Sequence, residues 1–161
     1  SVLFAAGLTF LPLEKDNDSQ GYRFFLGNRP ITVLTVSDTG WVTYRSGRIP
    51  DGKAVYSNEN GTKVAVWPFR MGVANGIYKE FDLDGDVIKV VTYRSGQRHG
   101  IYKEMWDDGS PRIIANYLKG RLNGNYKEFD EDNNLIREDE YRNGVVHNNL
   151  YFLENLYEDN K

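Results

Sequence analysis

The chain contains no cysteine and only two histidines, His99 and His147. The first absence excludes disulfides, thiolate nucleophiles and cysteine-based metal sites, and leaves the compartment open. The histidines have no second chemical partner in the sequence, so neither suggests a metal ligand or a catalytic base. The apolar opening stretch, residues 1–13, is shorter than the roughly 20 residues a bilayer-spanning helix needs. Charge of one sign is lacking as well. Lys plus Arg number 20 against 23 Asp plus Glu, a net charge of −3, and Lys and Glu alternate without forming a basic stripe. This argues against nucleic acid as a partner and against a membrane surface, which asks for concentrated basic residues.

What the sequence has is a repeat. Gly52, Gly76, Gly100 and Gly124 follow one another at steps of 24, and a second turn signal comes within each unit at Asn60-Gly61, Asp84-Gly85, Asp108-Gly109 and Asp132-Asn133. A short fixed period means stacked copies of one supersecondary unit. The units are 52–75, 76–99, 100–123 and 124–147. The letters of Val42–Gly47 recur at Val91–Gly96, which extends the expected array back to 28–148. Residues 1–27 and 149–161 are then end segments. For residues 1–13 two readings stand, a strand capping the first edge or the tail of an export signal, the cap being favoured because a solenoid edge needs covering. Leu150, Leu153, Leu156 and Tyr157 have helix-like spacing, which suits a terminal cap.

Each unit reads as a β-hairpin. Asn-Gly and Asp-Gly favour a two-residue type I′ turn, in which both central residues need positive φ. With Asp84-Gly85 at the tip, Glu80 faces Lys89, Phe81 faces Ile88, Tyr78 faces Val91 and Gly76 faces Tyr93. The same construction sets Gly52 opposite Phe69, Gly100 opposite Tyr117 and Gly124 opposite Tyr141, an aromatic covering a strand glycine each time. It also sets Lys127 opposite Glu138 and Glu128 opposite Arg137, cross-strand charge pairs that each contribute about 0.2–1 kcal/mol. A side chain at Gly100 is expected to crowd Tyr117. Further turns at Met71-Gly72, Ser95-Gly96, Lys119-Gly120 and Asn143-Gly144 join the hairpins. The fold class is therefore all-β, an elongated antiparallel meander of stacked hairpins with caps at both ends. Asn75, His99, Asn123 and His147 share the column before the unit glycine and read as turn residues.

Period-two alternation gathers Tyr78 and Glu80, then Tyr102, Glu104 and Trp106, then Tyr126 and Glu128 on one face. Tyr and Trp combine large contact area with a polar handle and suit a protein interface, so these seven are the candidate partner-binding residues. The competing reading is that they pack on one another between units. The opposite face carries Ile77, Lys79, Phe81 and Ile88, and pattern alone does not say which face is concave. Two other motifs fail. Gly47–Ala54 lacks the hydroxyl residue that ends a phosphate-binding loop at Ala54, and the calcium-loop pattern near Asp82–Asp86 meets Val91 where a bidentate Glu is required.

The units GIYKEFDLDGDVIKVVTYRSGQRH and GIYKEMWDDGSPRIIANYLKGRLN resemble the variant MORN repeats of bacterial proteins: a Tyr-Lys-Glu-aromatic strand, an Asn/Asp-Gly turn and a Tyr-x-x-Gly link. The resemblance spans roughly Gly52 to Asn148, with departures at Ala54, Pro68 and Asn133. It implies a curled hairpin array without catalytic machinery or cofactor, and a binding role. Its members are often grouped with antitoxins or immunity proteins encoded beside a toxin, while other MORN arrays are dimerising scaffolds or touch lipid. The expectation is a non-enzymatic module that binds another protein, such as a toxin, in the bacterial cytoplasm or cell envelope. The alternative is a self-associating scaffold or membrane-associated adaptor.

Overall fold

Two kinds of turn alternate along the chain and set its topology. The computed structural model describes residues 7–16, 19–37 and 42–149, and their regular structure is all strand. Met71-Gly72, Ser95-Gly96, Lys119-Gly120 and Asn143-Gly144 have positive φ at both positions, 51° to 54° at the first and 80° to 85° at the second. These joints between units are the two-residue type I′ turns. The Asp-Gly tips, expected to take that form, do not. They are longer loops in which Asn58 N–H donates to the Thr62 carbonyl, Asp82 to Asp86, Trp106 to Ser110 and Asp130 to Asn134, at 2.8–3.0 Å. Only one residue of each tip is left-handed: Gly61, Gly85, Gly109 or Asn133. The pattern is a type I turn closed by a left-handed bulge residue. Asn58, Asp82 and Asp130 stabilise it through Oδ1, which accepts two or three backbone N–H groups of the same loop. A side-chain acceptor at the loop entrance selects this turn over type I′.

The strands are β1 (Leu8–Asp16), β2 (Ser19–Leu26), β3 (Arg29–Ser37), β4 (Val42–Ser46), β5 (Gly52–Ser57), β6 (Lys63–Arg70), β7 (Val73–Ala74), β8 (Gly76–Phe81), β9 (Val87–Arg94), β10 (Gln97–Met105), β11 (Pro111–Leu118), β12 (Arg121–Phe129), β13 (Leu135–Arg142) and β14 (Val145–Asn149). All belong to one sheet. From β5 to β14 the order follows the chain, with β7 paired on β6 beside β8, and every pair is antiparallel. All four glycine–aromatic pairs form in the expected register. Beyond Glu80 the longer tip shifts pairing by one, so Phe81 faces Val87 and not Ile88.

Before Gly52 the order changes. β1 lies beside β5 in parallel, Thr9 opposite Val55, and β2, β3 and β4 extend outward from β1. The uninterrupted run of sequential antiparallel neighbours therefore begins at β5 and not at residue 28. Within the opening stretch, residues 8–13 belong to β1 at the first edge of the hairpin array. Residues 1–6 and the helix-like spacing of Leu150–Tyr157 lie outside the described residues.

The unit glycines bend this sheet. Gly100 pairs with Tyr117 on one side. On the other, three residues (His99, Gly100 and Ile101) oppose Thr92 alone between the pairs Arg98–Tyr93 and Tyr102–Val91. Gly124 sits in the same kind of bulge between Leu122 and Tyr126. Both have positive φ, 89° and 99°. A bulge once per unit adds bend and twist in one sense, so curvature accumulates. Tyr22 on β2 and Trp67 on β6 are three strands apart, about 14 Å in a flat sheet, yet their rings are 5.1 Å apart. The curl brings β1 and β2 over β6, and Phe10, Phe24, Trp67 and Phe69 form a fully buried aromatic cluster there.

Candidate partner-binding surface

The tertiary curl decides the question the pattern leaves open: the tyrosine face is the inner one. Val91, Tyr93, Ala115 and Tyr141 are buried on it, whereas Ile77 and Ile101 on the outer face are 52% and 50% exposed. The seven candidate residues consequently separate. Tyr78 and Tyr102 are buried and belong to the core. Tyr126 is half-buried and packs edge-on against Tyr141, centroids 6.0 Å apart. Glu80, Glu104, Trp106 and Glu128 line surface clefts.

A Tyr-x-Glu ladder runs through the units. Tyr78 Oη donates to Glu80 at 2.5 Å, Tyr102 donates to Glu104, and Tyr126 donates to Glu128 at 3.3 Å. Residues two apart on a strand share a face, so a single strand supplies both partners. Glu104 collects the most cations: Lys89 Nζ at 3.0 Å from the preceding unit, and the Arg112 guanidinium. Burial works to raise its pKa, but the donors Tyr102, Lys89 and Arg112 outweigh burial and bring it down to about 2. The tyrosines move the other way. Burial, then the neighbouring Glu128 charge, pushes Tyr126 up to about 12. Burial and Glu104 likewise raise Tyr102.

The stripe is thus not simply aromatic and acidic. Arg137 stands over Tyr126 at 4.9 Å, Arg112 over Trp106 at 5.4 Å, and Arg98 over Tyr102 and Tyr117 at 5.5 and 5.3 Å. Cation–π contacts of this kind contribute about 0.5–1 kcal/mol at exposed sites. Lys127 meets Glu138 at 3.0 Å as the register requires. Arg137, though opposite Glu128, instead binds Asp139 at 2.6 Å and Tyr141 at 2.8 Å. Sequence reasoning missed Arg98 and Arg112. Both lie next to register shifts, where simple alternation fails.

Trp106 is the anchor of the accessible surface. It lies where β10 meets its tip, half-buried, with Nε1–H donating to the Phe129 carbonyl of the next unit at 3.3 Å. Four adjoining clefts share it as a wall. The largest, about 410 Å³, adds Arg112, Phe129 and Ile136 to Glu128, Glu131 and Asp132. Two others, about 320 and 300 Å³, reach Asp82, Asp86, Asp107, Asp108 and Glu131. The tips of three consecutive units therefore surround one indole with carboxylates. His99 on β10 and His147 on β14 stand four strands apart in the sheet order. His99, Asn123 and His147 lie in extended strand, a correction to the turn reading for these three, while Asn75 lies between β7 and β8. Members of this column act on the next joint: Asp51 Oδ1 accepts Met71 N–H at 2.6 Å, and Asn75 and Asn123 accept Ser95 and Asn143 N–H at 3.3 Å.

Residues 122–143 match the family model described as a MORN repeat variant. The chain carries a MORN-type repeat. The matched segment is the β12–β13 hairpin with its acidic tip, and the units before it share its glycine–aromatic pair and its tip hydrogen bond. No curated protein matches the chain. Among solved structures it is similar to TarM, at 13% identity and a TM-score of 0.24. An S. aureus TarM mutant in complex with fondaparinux, alpha-GlcNAc-glycerol and UDP gives 14% and 0.22. Both similarities cover 92% of this chain and 24% of that one, so this chain spans about a quarter of the TarM chain.

Proposed function

We propose that the protein is a non-enzymatic module that binds another protein through the Trp106 surface. The observation that carries this reading is the half-buried indole bordered by four clefts and ringed by carboxylates from three units. Interface hot spots favour Trp in grooves whose surroundings exclude water, and a carboxylate rim selects a partner with a basic surface and speeds encounter. MORN repeats are generally protein- or membrane-binding modules, which agrees. A basic toxin held inactive by this chain, as an immunity protein or antitoxin holds one, fits the surface. The four-strand separation of the two histidines supports the non-enzymatic part of the reading.

The test is affinity capture from the source organism with the wild type, Trp106→Ala, and an Asp107→Lys, Asp108→Lys double variant. One stoichiometric basic partner lost in both variants is the expected outcome; equal recovery by all three would overturn the reading. A second reading, a self-associating scaffold, is favoured by the exposed apolar side chains of β14, where Val145 and Val146 are 69% and 46% exposed among the described residues, a patch that a second copy would cover. Sedimentation at rising concentration distinguishes it, since a scaffold gains mass and a monomeric binding module does not.

A further inference from the structure

A different cleft, of about 350 Å³, lies under the curl, where β1–β3 pass over β8–β10. Its walls include Tyr22, Trp67, Tyr78 and Tyr93, and its charged groups are Lys15, Lys89, Arg98 and Glu80. Lys89 is held by Glu104 at 3.0 Å, so Arg98 is the cation on which a ligand contact is argued. Glu80 already accepts the Tyr78 hydroxyl at 2.5 Å. Two lining residues carry buried donors without an acceptor among the described residues, Trp67 at Nε1 and Arg98 at Nε, and Trp67 is only 1% exposed. Buried N–H groups are nearly always paired, and an orphan marks a place where something else belongs. Arg98 donates from Nη1 to the Tyr117 hydroxyl at 3.3 Å and is also hydrogen-bonded to Tyr93, while its Nε–H has no acceptor among the described residues.

We infer that this cleft binds a small organic carboxylate, its oxygens on Arg98 Nε–H and Trp67 Nε1–H and its body between the aromatic walls. A guanidinium edge matches a planar carboxylate. Glu80 supplies an acceptor for a hydroxyl on the ligand body. A volume of about 350 Å³ is at the low end for small-molecule sites, which limits the occupant to one small molecule and excludes a folded partner. The site shares Glu80 and Lys89 with one of the Trp106 clefts but not the indole itself, and it does not depend on the role of that surface.

Proton–nitrogen correlation spectra of the full chain test this, because both orphan N–H groups have their own resonances. Arg98→Lys and Trp67→Phe assign them by loss. The probes are glucuronate, galacturonate and 4-hydroxybenzoate, with glucose as the neutral control and glucose 6-phosphate as the phosphate control. At least one carboxylate is expected to shift both resonances saturably while glucose leaves them in place. Arg98→Lys, which keeps the charge but loses the Nε–H, is expected to weaken binding about tenfold. Trp106→Ala is expected to leave the titration unchanged. The inference is overturned if no carboxylate moves both resonances, if glucose moves them equally, if glucose 6-phosphate alone does so, or if Arg98→Lys binds as well as the wild type. Should Arg98→Lys not fold, the wild-type titration alone decides.

Discussion

Tyr102 and Glu104, two residues apart on β10, share a hydrogen bond on the inner face of the sheet, and the same bond recurs one unit earlier and one unit later. Only in the middle unit does the carboxylate also hold Lys89 and Arg112. This makes Glu104 the electrostatic junction of neighbouring hairpins, and the array's dependence on pH follows from it.

Glu104 has its folded pKa depressed to about 2. Its contribution is therefore complete above the unfolded carboxyl value of about 4.3 and is lost as pH falls toward 2. The Glu104→Gln variant is expected to lose roughly 1–3 kcal/mol at neutral pH and to lose less further stability than the wild type on acidification. Urea unfolding at pH 7 and pH 3 measures both; equal acid sensitivity of the two proteins would contradict the assignment.

At the alkaline end the sign reverses. Tyr22 and Tyr126 have folded pKa values raised to about 12, burial being the main cause in each. Their stabilisation is present below pH 10 and is lost as pH rises from 10 toward 12. Tyrosinate absorbance is expected to appear late and together with loss of the β-sheet circular dichroism signal. Early ionisation in a folded chain would show these side chains to be solvated.

Gly100→Val is expected to destabilise the chain by about 1–3 kcal/mol, but not by crowding Tyr117. An added Cβ would meet Thr92 at 3.8 Å, an ordinary contact, and the cost comes from φ of 89°. Gly100→Ala should therefore cost nearly as much as Gly100→Val. If crowding were the cause, the alanine variant would be spared. Thermal melts of the two variants separate these accounts.

His99 occupies the column in which Asp51, Asn75 and Asn123 accept a backbone N–H of the next joint. The equivalent donor is Lys119 N–H, at a residue with φ of 51°. His99→Asn is expected to stabilise the chain by about 0.5–1 kcal/mol through the missing acceptor. Lys119→Asn should add a few tenths more, because Asn tolerates the left-handed conformation. Chemical unfolding of each variant checks both, and an unchanged midpoint for His99→Asn would remove the capping role.

Turn placement shows where sequence reading stops. Asp-Gly names a left-handed glycine, and Gly85 has one, but the loop's form rests on the Asp82 carboxylate accepting three N–H groups. Type I′ geometry went instead to Ser95-Gly96 and Lys119-Gly120, whose first residues are not typical of it. Strand twist demands that turn in a two-residue joint whatever residue is present. Among the candidate site residues, alternation placed Tyr78, Tyr102 and Tyr126 on one face correctly, yet could not say that Tyr78 and Tyr102 face inward.

The 24-residue period by itself determined the hairpins, their register short of the tips and the pairing of Gly76 with Tyr93 and Gly100 with Tyr117, because these relations lie within about 20 residues and repeat with the sequence. The tertiary structure alone decided which face is inner, that β1 joins β5 in parallel, and that Tyr22 meets Trp67. Those outcomes depend on the bend added at each bulge and on contacts between distant strands, quantities that accumulate over the whole sheet and appear in no single unit.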